Sequence, residues 1–91
     1  MLSMSGSGEG RGVRVRLFAR AKDVVGSEVV ELQLAEGATV ADVRRRLAAQ
    51  YPDLRALLEH SAFAVNEEFA DDSVPLPCGA EVALLPPVSG G

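Results

Sequence analysis

The chain has 91 residues, which is room for a single domain, because independent domains usually have about 50 to 250 residues. Hydrophobic residues make up 47% and charged residues 24% of the chain, which excludes the composition of a disordered protein. The net charge of −4 argues against a general nucleic-acid binder, and no apolar run reaches the roughly 20 residues that span a membrane, so we expect a cytoplasmic protein.

The first regular pattern begins at Val13. Residues 1–12 carry four glycines and no apolar periodicity, which predicts a disordered N-terminal tail over residues 1–12. From residue 13 to residue 19 every second residue is apolar, as in a strand with one buried face. Phe18 falls on the polar side of this strand. It is therefore either covered by another segment or an exposed contact residue.

A short connection and a second strand follow. Residues 21–26 indicate about one helical turn that Gly26 closes in a left-handed conformation. Residues 30–34 again alternate between apolar and polar side chains. The short spacing between the two strands predicts that they pair antiparallel.

The main helix is predicted from Val40 to Tyr51. Thr39 and Asp42 resemble a capping box, apolar residues recur at helical spacing, and Pro52 ends the helix. The arginines at positions 44–46 lie on its polar side, which favours a solvated face over an anion site.

Shorter elements complete the fold. Residues 54–58 suggest one amphipathic turn, residues 61–65 a third strand with alternate residues inward, and residues 81–85 a last strand. Residues 66–68 form a predicted turn. Phe69 then stands alone in an acidic, proline-rich stretch, where it is either tucked under a loop or exposed for a partner.

The order of these elements predicts an α+β fold with a mixed sheet and one main helix on one face. This is the β-grasp arrangement of ubiquitin. A right-handed crossover through the helix would place the last strand parallel to the first, in the centre of the sheet. We therefore expect a β-grasp domain over residues 13–85 and an extended tail over residues 86–91.

Charge and cysteine content narrow the chemistry. Residues 60–91 contain five acids and no base, which is either an ordinary solvated surface or an acidic docking face for a basic partner. The single cysteine, Cys78, excludes an internal disulfide and any zinc or iron–sulfur site built from cysteines, so no metal is expected.

The most specific motif is the last segment, LLPPVSGG. Pro86 and Pro87 stiffen it into an extended form, whereas Gly90 and Gly91 can pass through a channel too narrow for side chains. The carboxylate at Gly91 is ionised at neutral pH and is a poor electrophile, so another enzyme must activate it, most plausibly as an acyl-adenylate made with ATP. Attack by a sulfur donor would give a thiocarboxylate, and attack by an amine would give an amide.

The segments VRVRLFAR, VADVRRRL, AVNEEF and LLPPVSGG resemble the MoaD family, the small sulfur-carrier subunits of molybdopterin synthase. The resemblance covers residues 13–91. It implies that an adenylating enzyme of the ubiquitin-activating type uses ATP to activate Gly91, next to Gly90. It further implies that a sulfurtransferase supplies the sulfur, and that the thiocarboxylate donates it to a cyclic pyranopterin precursor of the molybdenum cofactor.

The resemblance also implies a partner and its contact residues. The partner is the large synthase subunit, MoaE, in a heterotetramer whose large-subunit pocket receives the tail. In this arrangement the chain is a non-catalytic carrier with no tightly bound cofactor. The partner-binding positions that it implies are Lys22, Phe69, Leu85, Pro86, Pro87 and Val88.

Other functions compete with this interpretation. Sulfur carriers for thiamin thiazole or cysteine synthesis, and protein modifiers joined to lysines, also end in Gly-Gly, but the Pro-Pro-Val segment argues against them. A passive β-grasp interaction module would not need a free Gly-Gly end. A hydrolase using Cys78 and His60 is disfavoured because nothing in the sequence orients the histidine, so we expect Cys78 to be a packed, structural thiol.

Overall fold

The structure, a computed structural model, describes residues 10–77 and 79–86. These residues contain three helices and five strands, with one 3-10 turn between the second and third helices. In chain order the elements are β1 Gly10–Leu17, α1 Ala19–Val25, β2 Val29–Ala35, α2 Val40–Gln50, the 3-10 turn Pro52–Leu54, α3 Arg55–Leu58, β3 Ala62–Val65, β4 Glu68–Ala70 and β5 Glu81–Leu85.

The five strands form one mixed sheet in the order β2-β1-β5-β3-β4. β1 pairs antiparallel with β2 and parallel with β5, and β3 pairs antiparallel with both β5 and β4. The last strand therefore lies in the centre, parallel to the first. This confirms the predicted α+β fold and its β-grasp topology.

The core lies between the sheet and α2. Val40, Val43 and Leu47 from the helix are completely buried against the inward side chains of the strands. The largest fully buried side chain is that of Phe63 on β3. Alternate residues of a strand point to opposite faces. Arg14, Arg16 and Glu81, which point to the second face, are exposed, so no helix of the described residues covers that face there.

Both ends of α2 follow the sequence prediction to within one residue. The backbone N–H of Thr39 donates to Oδ2 of Asp42 at 2.9 Å, as in a capping box. This hydrogen bond is the main cause of a lowered pKa of Asp42, and a hydrogen bond from the side chain of Arg45 is the second cause. The helix ends at Gln50, one residue before its predicted end, and Tyr51 is its C-cap ahead of Pro52.

The first strand differs from its prediction at both ends. It begins at Gly10, because Gly10 and Gly12 pair with β2 opposite Ala35 and Gln33, and backbone hydrogen bonding needs no side chain. The strand therefore begins three residues before the predicted start at Val13. Residues 1–9 lie outside the described part of the chain. The strand ends at Leu17 because the backbone turns away at Ala19, whose φ is 51°.

The first helix ends as the sequence predicts. Gly26 closes α1, with φ of 84° and its N–H donating to the carbonyl of Lys22 at 2.7 Å.

β3 and β4 form a hairpin at the edge of the sheet. Asn66 and Glu67, which join the two strands, have φ of 50° and 72°, which is typical of a two-residue hairpin turn. β4 was not predicted, because a three-residue edge strand beginning at Glu68 has no clear apolar alternation.

The prediction that all three arginines of α2 lie on a solvated face is wrong for Arg44, whose side chain is only 26% exposed. Its Nη1 donates to the carbonyls of Leu58 and Ser61, and its Nε and Nη2 donate to Oδ1 of Asp72 at 3.3 and 2.8 Å. Its guanidinium also lies 5.0 Å from the ring centroid of Phe63. Arg44 thus ties α2 to α3, β3 and the loop after β4, while its two arginine neighbours are exposed as predicted.

Candidate functional site: the open face of the sheet

The candidate site lies on the face of the sheet that α2 does not cover. Directly paired residues of neighbouring strands project from the same face of a sheet. The strand register places four such residues in one row from β1 to β4: Arg16, Ala83, Ala64 and Phe69. Leu85 lies two residues further along β5. Phe18, whose backbone is extended, lies just after the end of β1 and two residues beyond Arg16, so both adjoin this row on the same face.

These side chains line a shallow groove of about 320 Å³. We call it the open-face groove; its lining residues are Arg16, Phe18, Ala64, Glu67, Phe69, Glu81, Val82, Ala83 and Leu85. The side chain of Phe69 is 80% exposed and that of Phe18 is 39% exposed. Both aromatic residues whose surroundings the sequence left open are therefore available to a partner.

The structure brings together some of the predicted partner-binding residues and separates others. Phe69 and Leu85 line the same groove. Lys22 does not, because it lies on α1, where its ammonium group is 3.8 Å from the carboxylate of Glu28. Pro86 is exposed and lines a neighbouring groove of about 230 Å³ together with Phe18.

The remaining predicted site residues are not described by the structure. Pro87, Val88, Gly90 and Gly91 lie outside the described residues, and so does Cys78. Within the described ranges, no three His, Cys, Asp or Glu side chains are close enough together to hold a metal ion. No helix in those ranges is long and apolar enough to cross a membrane.

The acidic character of the last third of the chain is divided between two regions. Glu67 and Glu81 line the open-face groove. Asp72 instead accepts hydrogen bonds from Arg44 and so stabilises the fold. Glu67 and Glu81 are therefore available to a partner in the groove, whereas Asp72 is engaged with Arg44.

Arg16 is a charged residue of the groove that the sequence alone does not single out. Arg16 reads as an ordinary polar residue of an alternating strand, but its guanidinium lies 5.9 Å from the ring centroid of Phe18. The cross-strand register is needed to see that Arg16 stands beside an apolar surface.

Comparison with known proteins identifies the family. The model of the ThiS family matches residues 15–91. The chain belongs to the ThiS family. Its resemblance to the MoaD branch is confirmed by the molybdopterin synthase sulfur carrier subunit of Escherichia coli (strain K12), which is 36% identical over 81 residues, 87% of this chain and 99% of that protein. Small archaeal modifier protein 1 of Haloferax volcanii is 34% identical over 84 residues, 84% of this chain and 97% of that protein.

Solved structures share the fold of this MoaD-family chain. A protein of Pyrococcus furiosus, described as molybdopterin converting factor subunit 1, has a TM-score of 0.78 at 26% identity, covering 86% of this chain and 99% of its own. A complex of subunits 1 and 2 of the molybdopterin-converting factor from Helicobacter pylori has a chain with a TM-score of 0.61 at 27% identity, covering 88% and 99%. A ubiquitin of Caldiarchaeum subterraneum, 19% identical with a TM-score of 0.61 over 90% of this chain and 99% of its own, shows the ubiquitin-like fold.

Proposed function

We propose that this chain is a sulfur carrier in molybdenum cofactor biosynthesis. The observation that carries the proposal is its 36% identity with a molybdopterin synthase sulfur carrier subunit over 99% of that protein's length. The family match extends through Gly91, so it includes the Gly-Gly segment on which carrier chemistry depends.

The proposed reaction takes place at the carboxylate of Gly91. Attack of this carboxylate on the α-phosphate of ATP displaces pyrophosphate and gives an acyl-adenylate. The terminal sulfur of a persulfide on the sulfurtransferase then displaces AMP to give an acyl disulfide. A thiol cleaves the S–S bond of this acyl disulfide, which releases the thiocarboxylate and leaves a new disulfide. That sulfur is delivered to a cyclic pyranopterin precursor, so the chain acts as a carrier and co-substrate of a synthase rather than as an enzyme by itself.

The open-face groove is the proposed docking surface for the large synthase subunit. The exposed side chain of Phe69 and the partly exposed side chains of Phe18 and Leu85 give a partner apolar surface to bury. Burying one such side chain contributes about 1.5–3 kcal/mol. Lys22, on α1, is a proposed contact outside the groove.

The position of β5 supports delivery of the tail to the docked partner. The strand lies in the centre of the sheet, and its last residue, Leu85, lines the groove. Six residues, 86–91, follow it and could span at most about 20 Å. A subunit docked on the open face is therefore within reach of the tail, for which Pro86, Pro87 and Val88 are the proposed contacts.

The experiment is ATP-dependent thiocarboxylate formation with the activating enzyme, detected by intact mass, followed by pterin conversion with the large subunit. Deleting Gly91, or adding one residue after it, should abolish both steps, because the reacting atom moves by about 3.5 Å. Gly90→Val should reduce them in part by restricting the backbone. Ser89→Ala, which leaves the terminal carboxylate in place, is the control; full turnover by an uncleaved extended chain would contradict the proposal.

A second candidate function is protein modification. It is favoured by the 34% identity with small archaeal modifier protein 1 of Haloferax volcanii. In that case Gly91 would be joined to lysines of other proteins through an amide bond. Mass spectrometry of cell extracts distinguishes the two functions, because modification leaves lysines joined through Gly91 to a C-terminal peptide of this chain, whereas sulfur transfer alone does not.

A further inference from the structure

Arg16 is a cation placed beside apolar surface on the open face. Its direct cross-strand neighbours are Val29 on β2 and Ala83 on β5, and neither can pair with a charge. In the described part of the chain, no carboxylate oxygen lies within 4 Å of its guanidinium, which lies instead near the ring of Phe18. Arg16 therefore makes a weak cation–π contact with Phe18.

Arg14, two residues earlier on the same strand and face, has different surroundings. Its direct cross-strand neighbours are Glu31 on β2 and Glu81 on β5. Opposite charges directly across a sheet stabilise each other. These two glutamates are diagonal, not direct, neighbours of Arg16. The guanidinium of Arg16 lies instead beside the ring of Phe18. In the described residues neither arginine has a carboxylate oxygen within 4 Å, so the contrast is one of register: two carboxylates lie directly opposite Arg14 and none lies directly opposite Arg16. Glu67 and Glu81 line the same groove as Arg16.

The consequence appears when a partner covers the groove. A subunit that buries Phe18 and Ala83 must also cover Arg16, because all three line the same groove. Removing a guanidinium from water without a counter-charge is costly, whereas a carboxylate with hydrogen bonds to it can offset that cost. A partner surface that is apolar throughout would therefore bind this face poorly.

We propose that Arg16 is a specificity-determining residue of the docking face, which binds a carboxylate of the large synthase subunit. This inference rests on the proposed function, since it takes the large subunit as the occupant of the groove. The partner is then expected to present an apolar surface to Phe69 and Leu85, and an aspartate or glutamate to Arg16. An Arg16–carboxylate pair would favour this partner over apolar surfaces of similar shape.

The test is the affinity of the full chain for the large subunit of the same organism, measured by calorimetry at low and high salt. Arg16→Glu should weaken binding at least about tenfold, because it sets two carboxylates against each other. Arg14→Glu is the control, with the same change of charge on the same strand and face, and should weaken binding much less. Because Arg14 lies directly opposite Glu31 and Glu81, circular dichroism first establishes that this variant is folded. An Asp→Arg or Glu→Arg substitution on the large subunit should restore the affinity of the Arg16→Glu chain.

Each outcome decides between the proposals. Equal losses for Arg16→Glu and Arg14→Glu would overturn the role of Arg16, because only general electrostatic attraction would then remain. A Phe69→Ala chain that binds with unchanged affinity would instead show that the large subunit does not dock on the open face. If Arg16→Glu altered self-association in analytical ultracentrifugation but left the affinity for the large subunit unchanged, the groove would be an interface between copies of this chain, and the proposal would be wrong.

Discussion

Arg44→Ala should destabilise the fold, although the side chain belongs to a run of three arginines on one helix. The substitution removes hydrogen bonds to the part-buried carbonyls of Leu58 and Ser61, each worth about 0.5–1.5 kcal/mol. It also removes the ion pair with Asp72, whose side chain is 53% exposed against 26% for Arg44, so that solvent screens it to about 0.2–1 kcal/mol. The contact with the ring of Phe63 adds about 0.5–1 kcal/mol.

These interactions share one guanidinium and do not add in full, so we expect a loss of about 2–3 kcal/mol in the free energy of unfolding. In a domain of this size, that lowers Tm by about 10 °C or more. Urea unfolding followed by circular dichroism measures the loss. The free energy of unfolding of Arg44→Lys should lie between those of the wild type and Arg44→Ala, because an ammonium group keeps the charge but lacks the planar set of N–H donors of a guanidinium.

Arg45→Ala is the matched control for this prediction. Arg45 is the next residue on the same helix, its side chain is 73% exposed, and its described ion pair is with Asp42. Its removal should change the free energy of unfolding by no more than about 0.5 kcal/mol. If Arg44→Ala were no more costly than Arg45→Ala, the link from α2 to α3 and β3 would not stabilise the domain.

Two further predictions concern the ends of secondary-structure elements. Deleting residues 1–9 should leave Tm unchanged, as their composition predicts. Deleting residues 1–12 should lower Tm by several degrees, because residues 10–12 pair with β2. Equal melting temperatures of the two shortened chains would show that this pairing adds no stability. Because the folded-state pKa of Asp42 is lowered from 3.8, its ionised form contributes stability at neutral pH that is lost as pH falls below about 4. The urea midpoint of Asp42→Asn should therefore converge on that of the wild type between pH 5 and 2.5; parallel curves over this range would contradict the capping role.

The sequence predicted the elements whose apolar periodicity is strong. Alternation from Val13 identified β1, and helical spacing after Thr39 identified α2 and its cap, because local pattern and burial agree there. β4 was missed because its three residues gain their structure from pairing with β3, which local sequence does not encode. Arg44 was misread for a similar reason: its partners Leu58, Ser61 and Asp72 are distant in sequence.

The candidate site was predictable only in part. Resemblance to the MoaD family singled out Phe69 and Leu85, and the structure places both in one groove. That Phe18 joins them, and that Arg16 stands beside them, depends on the pairing of β1 with β5 across more than sixty residues of chain. No local pattern contains that register.

The parallel pairing of β1 with β5 also determines how the domain resists a mechanical load. Force applied between the start of β1 and the end of β5 acts along both strands, since they run in the same direction side by side. Their hydrogen bonds are then loaded in shear and must break together, whereas an antiparallel hairpin pulled at its open end separates one bond at a time. An unfoldase that pulls on the tail must break the pairing of β1 with β5 at the centre of the sheet. Val15 and Val82, which pair there, are both fully buried, so this pairing is the main resistance to unfolding under load. Since forced unfolding is governed by the unfolding rate, a substitution in this central pair should shorten the lifetime under load more than a substitution at β4 of equal cost to stability.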